Sequence, residues 1–152
     1  MRDMKHFTIS ELLYSANHWK RIWNKTTPEI EQNLTALVAV VLDPLREKWG
    51  KPITVNSGYR CPELNRAVGG VPTSQHLKGE AADICAATRK ETAKLGRLLV
   101  SMGTFDQVIF EHSNKECTEA AWIHVSWKRV GENRRQVLRL VAGSKKYEPI
   151  SI

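Results

Sequence analysis

The stretch Ser74-Gln75-His76-Leu77-Lys78-Gly79-Glu80-Ala81-Ala82-Asp83 carries the reading of the whole chain. It leaves a polar, turn-rich segment and enters Ala81–Cys85, a short apolar run with the look of a buried strand. His76 closes the loop, and Asp83 sits seven positions on, inside the strand. Gly79 between them is the residue type that lets a chain double back, so both side chains can reach one point. A second imidazole, His124, lies in Trp122–Ser126, which alternates as a strand does. Two imidazoles and a carboxylate form a three-ligand set that suits a catalytic zinc with its fourth position open to water. On spacing alone a plainer reading stands beside this one. A single buried His is more often a hydrogen-bonded core residue, and a strand Asp more often pairs with an Arg or caps a turn.

Working outward from that stretch, Thr8 and Glu11 have the spacing of a capping box and open a helix expected to run to about Trp19. Thr27 and Pro28 open a second helix. Leu34, Leu37, Val38, Val41, Leu42 and Leu45 recur at helical spacing and make its apolar face, and Gly50 and Pro52 end it. Residues 53–56 read as a strand. Residues 57–79 are rich in Gly, Pro, Ser and Asn, and a loop this long in a small domain is expected to be functional. Thr88 caps a third helix over Arg89–Met102, with Gly103 after it. Residues 105–111, 122–128 and 136–141 alternate as strands, and 112–120 reads as a polar loop. Helices come first and strands later. The expected class is α+β, with a small antiparallel sheet and the N-terminal helices packed on it, in one domain over residues 1–152.

With 41% hydrophobic and 26% charged residues, the 152-residue chain can bury a core. No apolar run approaches the roughly 20 residues that span a bilayer, so no membrane insertion is expected. The N-terminus lacks the apolar centre of a signal peptide. Three cysteines, Cys61, Cys85 and Cys117, are odd in number and contain no CxxC pair, so they read as plain thiols. The net charge of +7 is uneven: residues 128–152 hold seven basic residues against two acidic ones. No nucleic-acid-binding motif accompanies that charge. It reads either as a face attracted to an anionic wall or as an edge strand guarded against pairing.

Three separated segments then match one pattern in order. Asn56-Ser-Gly-Tyr-Arg60, Ser74-x-His76-x-x-Gly79-x-Ala81-x-Asp83 and Trp122-x-His124-x-Ser126 together resemble the zinc D-Ala-D-Ala peptidase family, M15, and within it the small phage-endolysin-like branch. The hedgehog signalling domain shares that fold and metal site. The resemblance covers roughly residues 7–141. It implies one zinc ion held by His76, Asp83 and His124, with bacterial peptidoglycan peptides as the partner, no nucleic acid, and a monomer. It implies that Arg60 stabilises an oxyanion or a substrate carboxylate, a task suited to a fixed guanidinium. It gives Ser74 the task of bonding substrate or orienting the loop, with Gln75 open to either or neither, and Tyr59 of the Ser-Gly-Tyr-Arg motif joins them as a substrate-binding candidate. Trp122, on the same strand face as His124, reads as a wall of the cleft or as core. The general base departs from the family pattern, because Ala121 stands where many members carry an acid three positions before the last His. The strand 105–111 resembles the one that ends in the glutamate of the hedgehog-like site, which makes Glu111 the candidate. Glu119 is the alternative and Glu116 a third. The implied function is a zinc metallopeptidase that hydrolyses stem or cross-link peptides by zinc-activated water, as a D-Ala-D-Ala carboxypeptidase or endopeptidase. A phage or prophage endolysin of this kind would be made in the cytoplasm without a signal peptide and act on the wall after release. The alternative is a non-catalytic zinc-containing module that binds the wall or builds a phage particle.

Overall fold

A computed structural model describes residues 4–14, 24–113 and 119–151. Helix α1 (Ile9–Leu13) opens on a complete capping box. Thr8 Oγ1 accepts from the Glu11 N–H at 3.2 Å, and the Glu11 carboxylate accepts from the Thr8 N–H at 3.2 Å. It stops at Leu13 because Tyr14 turns extended, short of the expected end at Trp19, which lies outside the described residues. Helix α2 (Pro28–Leu37) starts as the sequence predicts, with Thr27 Oγ1 accepting from the Ile30 N–H. It passes through one π turn (Val38–Leu42) into α3 (Asp43–Trp49), which Gly50 ends at φ 73°. All six residues of the predicted apolar face are buried, none more than 2% exposed.

The segment read as an unbroken loop holds helix α4 (Pro62–Ala67) and a 3₁₀ turn (Gln75–Lys78). Pro62 pre-sets the first helical φ, and six residues are too few for an apolar period to show. Helix α5 (Arg89–Met102) is capped by Thr88 and ended by Gly103, as expected.

Six strands form one sheet: β1 (Thr54–Ser57), β2 (Ala81–Cys85), β3 (Gln107–His112), β4 (Trp122–Ser126), β5 (Gln136–Val141) and β6 (Glu148–Pro149). Their order is β1-β2-β4-β3-β5-β6. Every neighbouring pair is antiparallel except β3–β5, which is parallel. The α+β class stands, and the antiparallel expectation is corrected at that one pair. The reason is topological. Strand β4 already lies on one side of β3, so the chain leaving Ser126 crosses the end of β3 and enters its free side in the same direction. His112, expected in a loop, continues β3 and is buried.

Asp106 holds the crossover. Its N–H donates to the Ser126 carbonyl (2.7 Å) and its carbonyl accepts from the Gln136 N–H (2.9 Å). Its buried carboxylate accepts from the Arg134 N–H (2.7 Å), Nε (3.1 Å) and Nη2 (2.7 Å). Burial alone would raise the Asp106 pKa, but the Arg134 bonds outweigh it and hold the carboxyl below its ordinary range. Much of the C-terminal charge is therefore engaged. Arg134 and Lys128 face Asp106, Arg129 donates to Asn33 Oδ1, and Arg139 meets Glu148. Among the described residues, Arg135, Lys145 and Lys146 make no ion pair.

Side chains alternate across the sheet. Ala82, Ile84, Val108, Phe110, Ile123 and Val125 bury one face together with the apolar side of α2–α3 and with α5. Contact with α5 is close. A Cβ at Gly96 would sit 2.5 Å from Phe110 Cε1 and 2.8 Å from Ile123 Cδ1. Cross-strand pairing puts Asp83, His124 and Ile109 in one row of the other face, with Glu111 and Trp122 in the next.

Candidate metal centre and active site

The 3₁₀ turn places His76. Ser74 Oγ accepts the His76 N–H at 3.2 Å and caps the turn. Gly79 ends it at φ 72°, a conformation that disfavours side chains, and a Cβ there would also lie 2.8 Å from the Ile30 carbonyl oxygen. Its neighbour β2 begins two residues later and delivers Asp83, which pairs across the ladder with His124 on β4. His76 Nε2 lies 3.2 Å from Asp83 Oδ1, and His124 Nδ1 lies 3.1 Å from the same oxygen. The two rings meet edge to face at 5.0 Å. One donor atom from each residue falls within 4.8 Å of the others.

These residues fit a zinc ion on two counts. A tetrahedral ion with bonds of about 2.0–2.2 Å holds its ligand atoms roughly 3.4 Å apart, close to the 3.1 and 3.2 Å between the two ring nitrogens and Asp83 Oδ1. The second count is chemical. His76 Nδ1 lies 2.6 Å from the Gly58 carbonyl oxygen, which can only accept, so Nδ1 carries the hydrogen. A neutral His76 then turns a lone pair, not a hydrogen, toward Asp83. Two acceptors facing each other at 3.2 Å need a proton or a cation between them. The carbonyl contact also orients the ring, as outer partners of metal-bound histidines do. Burial would raise the Asp83 pKa, but positive charge or a donated hydrogen on the His76 and His124 side outweighs it and holds the carboxylate ionised, well below its usual range.

Glu111 ends the same face of β3 and pairs with Trp122. Burial pushes its pKa up to about 7, and the negative charge of Asp83 adds to the rise. His124, a hydrogen bond with the Trp122 side chain, and Arg60 oppose it. Arg60 feels Asp83 and Glu111 in turn. Burial lowers its pKa, and both carboxylates offset part of that fall. The Arg60 backbone N–H donates to the His76 carbonyl at 3.0 Å, which ties the two segments together. Its side-chain Nε is buried with no hydrogen-bond partner among the described residues. A buried donor left unpaired costs stability.

The structure thus gathers His76, Asp83, His124, Glu111, Arg60 and Trp122. Ser74 caps the turn, and Gln75 Nε2 approaches Glu80 Oε1 at 3.4 Å. Tyr59 goes elsewhere. It is 5% exposed, and its hydroxyl donates to the Lys25 carbonyl at 3.2 Å, so it belongs to the core. Glu119 sits beyond the end of β3 and makes no hydrogen bond or ion pair with this cluster among the described residues, and Glu116 lies outside the described residues. Sequence reasoning missed the Gly58 carbonyl, since backbone partners leave no residue signal.

Comparison with known proteins follows the same residues. The model of a family described as Peptidase M15 matches residues 5–126. A zinc D-Ala-D-Ala carboxypeptidase of Streptomyces albus G is 33% identical over 85 residues, covering 55% of this chain and 32% of the relative. The chain thus matches about a third of that relative's length. A family model that covers most of the chain, and takes in His76, Asp83 and His124, shows that the chain belongs to the Peptidase M15 family.

Proposed function

We propose that the domain hydrolyses peptide bonds in bacterial peptidoglycan, as a D-Ala-D-Ala carboxypeptidase or as an endopeptidase of stem or cross-link peptides. The observation that carries this reading is the meeting of the His76–Asp83–His124 cluster with Glu111 and Arg60 on one sheet face. The name of the Streptomyces relative supports the substrate class. His76, Asp83 and His124 would hold the zinc, which when bound supplies a Lewis acid that makes water nucleophilic near pH 7 and polarises a carbonyl.

The chain's own residues do the rest. Glu111, raised toward neutrality, accepts a proton from the attacking water and returns it to the leaving amine. Burial, which raises the pKa of this carboxyl, favours its holding the proton until the amine leaves. Arg60, whose guanidinium feels Asp83 and Glu111, offers its positive charge to the substrate oxygen on which charge builds, or to a terminal carboxylate. Trp122 stands opposite Glu111 across the β3–β4 ladder and walls that carboxylate on one side. A carboxylate at Glu111 supports catalysis over a purely binding role, which Ala121 alone had left open.

A lytic role, with the protein made in the cytoplasm and reaching the wall after release, agrees with this substrate class. Lys145 and Lys146 would add attraction to an anionic wall. Mass spectrometry of purified peptidoglycan after digestion by the zinc-loaded chain tests the proposal. New termini within the stem or cross-link peptides are expected, and intact muropeptides under all conditions would refute it.

A further inference from the structure

Beyond the metal, base and guanidinium, one aromatic side chain reaches the same face from outside the family match. Strand β6 pairs with β5 so that Pro149 faces Leu138 and Glu148 faces Arg139. Leu138 in turn faces Ile109, and Leu140 faces Glu111. Tyr147 is two residues before Pro149 and therefore shares its sheet face. Continued by one residue, the same register sets Tyr147 beside Leu140. The row then reads Trp122, Glu111, Leu140, Tyr147, on the side that carries Asp83 and His124.

The approach to Tyr147 is built by hydrogen bonds. Ala142 N–H donates to the His112 carbonyl (2.8 Å) and Ser144 N–H to the Val141 carbonyl (2.9 Å). Lys146 N–H donates to Ser144 Oγ (3.1 Å). Glu148, next in sequence, is held by Arg139.

Tyr147 differs from Tyr59 in every respect that separates a working phenol from a structural one. Tyr59 is buried and its hydroxyl is spent on a carbonyl. Tyr147 is 45% exposed, and its hydroxyl has no hydrogen-bond partner among the described residues. We infer that Tyr147 forms the far wall of the cleft and donates its hydroxyl hydrogen to a backbone carbonyl oxygen of the bound peptide. The ring would rest on Leu140 while the O–H faces the substrate. Burial, then the charges of Glu111 and Asp83, raise the phenol's pKa, which keeps it a donor at neutral pH and agrees with its place beside them. The family match ends at residue 126, so the match assigns nothing to this residue.

The inference rests on the peptidase reading above, and the test separates the two. The zinc-loaded full chain, Tyr147→Phe and Tyr147→Ala are assayed on a stem peptide ending in D-Ala-D-Ala and on cross-linked muropeptides. The same peptides are titrated calorimetrically into Glu111→Gln with and without Tyr147→Phe. Loss of one hydrogen bond predicts a roughly five- to tenfold fall in kcat/KM for Tyr147→Phe. The fall should appear mainly in KM, with a matching loss of affinity in the titration and unchanged zinc content and Tm. Tyr147→Ala should lose more. Wild-type kcat/KM or affinity in both Tyr147 variants would overturn the inference while leaving the peptidase reading intact. A fall in Tm that accounts for the whole loss in Tyr147→Phe would also overturn it. If the unmutated chain neither cleaves nor binds any of these peptides, the peptidase reading fails and takes this inference with it.

Discussion

The two faces of the sheet are built from the same strands and solve opposite problems. On one face Ala82, Ile84, Val108, Phe110, Ile123 and Val125 meet the helices and carry no polar group. On the other, the alternate residues are Asp83, Ile109, Glu111, Trp122 and His124. The first face can tolerate many apolar side chains of similar volume, since it needs only to exclude water. The second depends on particular atoms, because each donor is set against another at 3.1–3.2 Å. Strand alternation makes this economical. Each residue that fixes the register of the dry face also aims a neighbour at the site.

That contrast can be broken most sharply at Asp83. Asp83→Ala removes the atom both imidazoles face, so metal content should fall well below one equivalent and peptide hydrolysis should vanish. Elemental analysis beside the activity assay checks both. Retained zinc in that variant would show that the ligand set is different.

Glu111→Gln should keep the metal and lower kcat by about 10²–10⁴, the usual worth of a positioned base. Its pH behaviour has a definite sign. As a base it works ionised, so the unmutated kcat/KM should rise with pH through the Glu111 titration and this limb should disappear in the Gln variant. Stability runs the other way. A pKa raised to about 7 favours the protonated carboxyl in the folded chain. That contribution is complete below the unfolded value of about 4.3 and is lost as pH climbs through about 7. Chelator-treated wild type should therefore lose Tm relative to Glu111→Gln between pH 4.5 and 7.5, and parallel melting curves would contradict this.

On the dry face the effects move from chemistry to folding. Leu42→Ala should cost about 2–5 kcal/mol in denaturant unfolding, with kcat per folded molecule unchanged. Smaller again is Gly96→Ala, where the added methyl meets Phe110 and Ile123. About 1–3 kcal/mol of overpacking is expected there, again without loss of zinc. A large drop in kcat from either substitution would mean that the two faces are coupled more tightly than alternation requires.

How much of this was legible before the coordinates follows the same division. The face from Leu34 to Leu45 announces itself through a 3.6-residue period, which a single π turn does not erase. His76 and Asp83 were legible because a turn glycine stands between a loop imidazole and a strand carboxylate. Helix α4 was hidden by the loop-like composition around Pro62. The parallel β3–β5 pair was hidden because no local pattern names a strand's neighbour. Arg134 looked like one more solvated cation, and only the fold reveals the buried Asp106 beneath it. Tyr59 sits in a diagnostic motif yet turns inward, while Tyr147 sits in no motif at all.

The two sides of the sheet also differ in how readily they open. Strands β2 and β4 lie inside the sheet and bury most of their residues. Strand β5 buries none, and β6 is exposed. A segment with few buried contacts opens at low free energy. Amide exchange should then show β5 and β6 opening at lower free energy than β2 and β4. In that case the metal ligands belong to the part of the protein that opens last, and the C-terminal wall of the cleft loosens first.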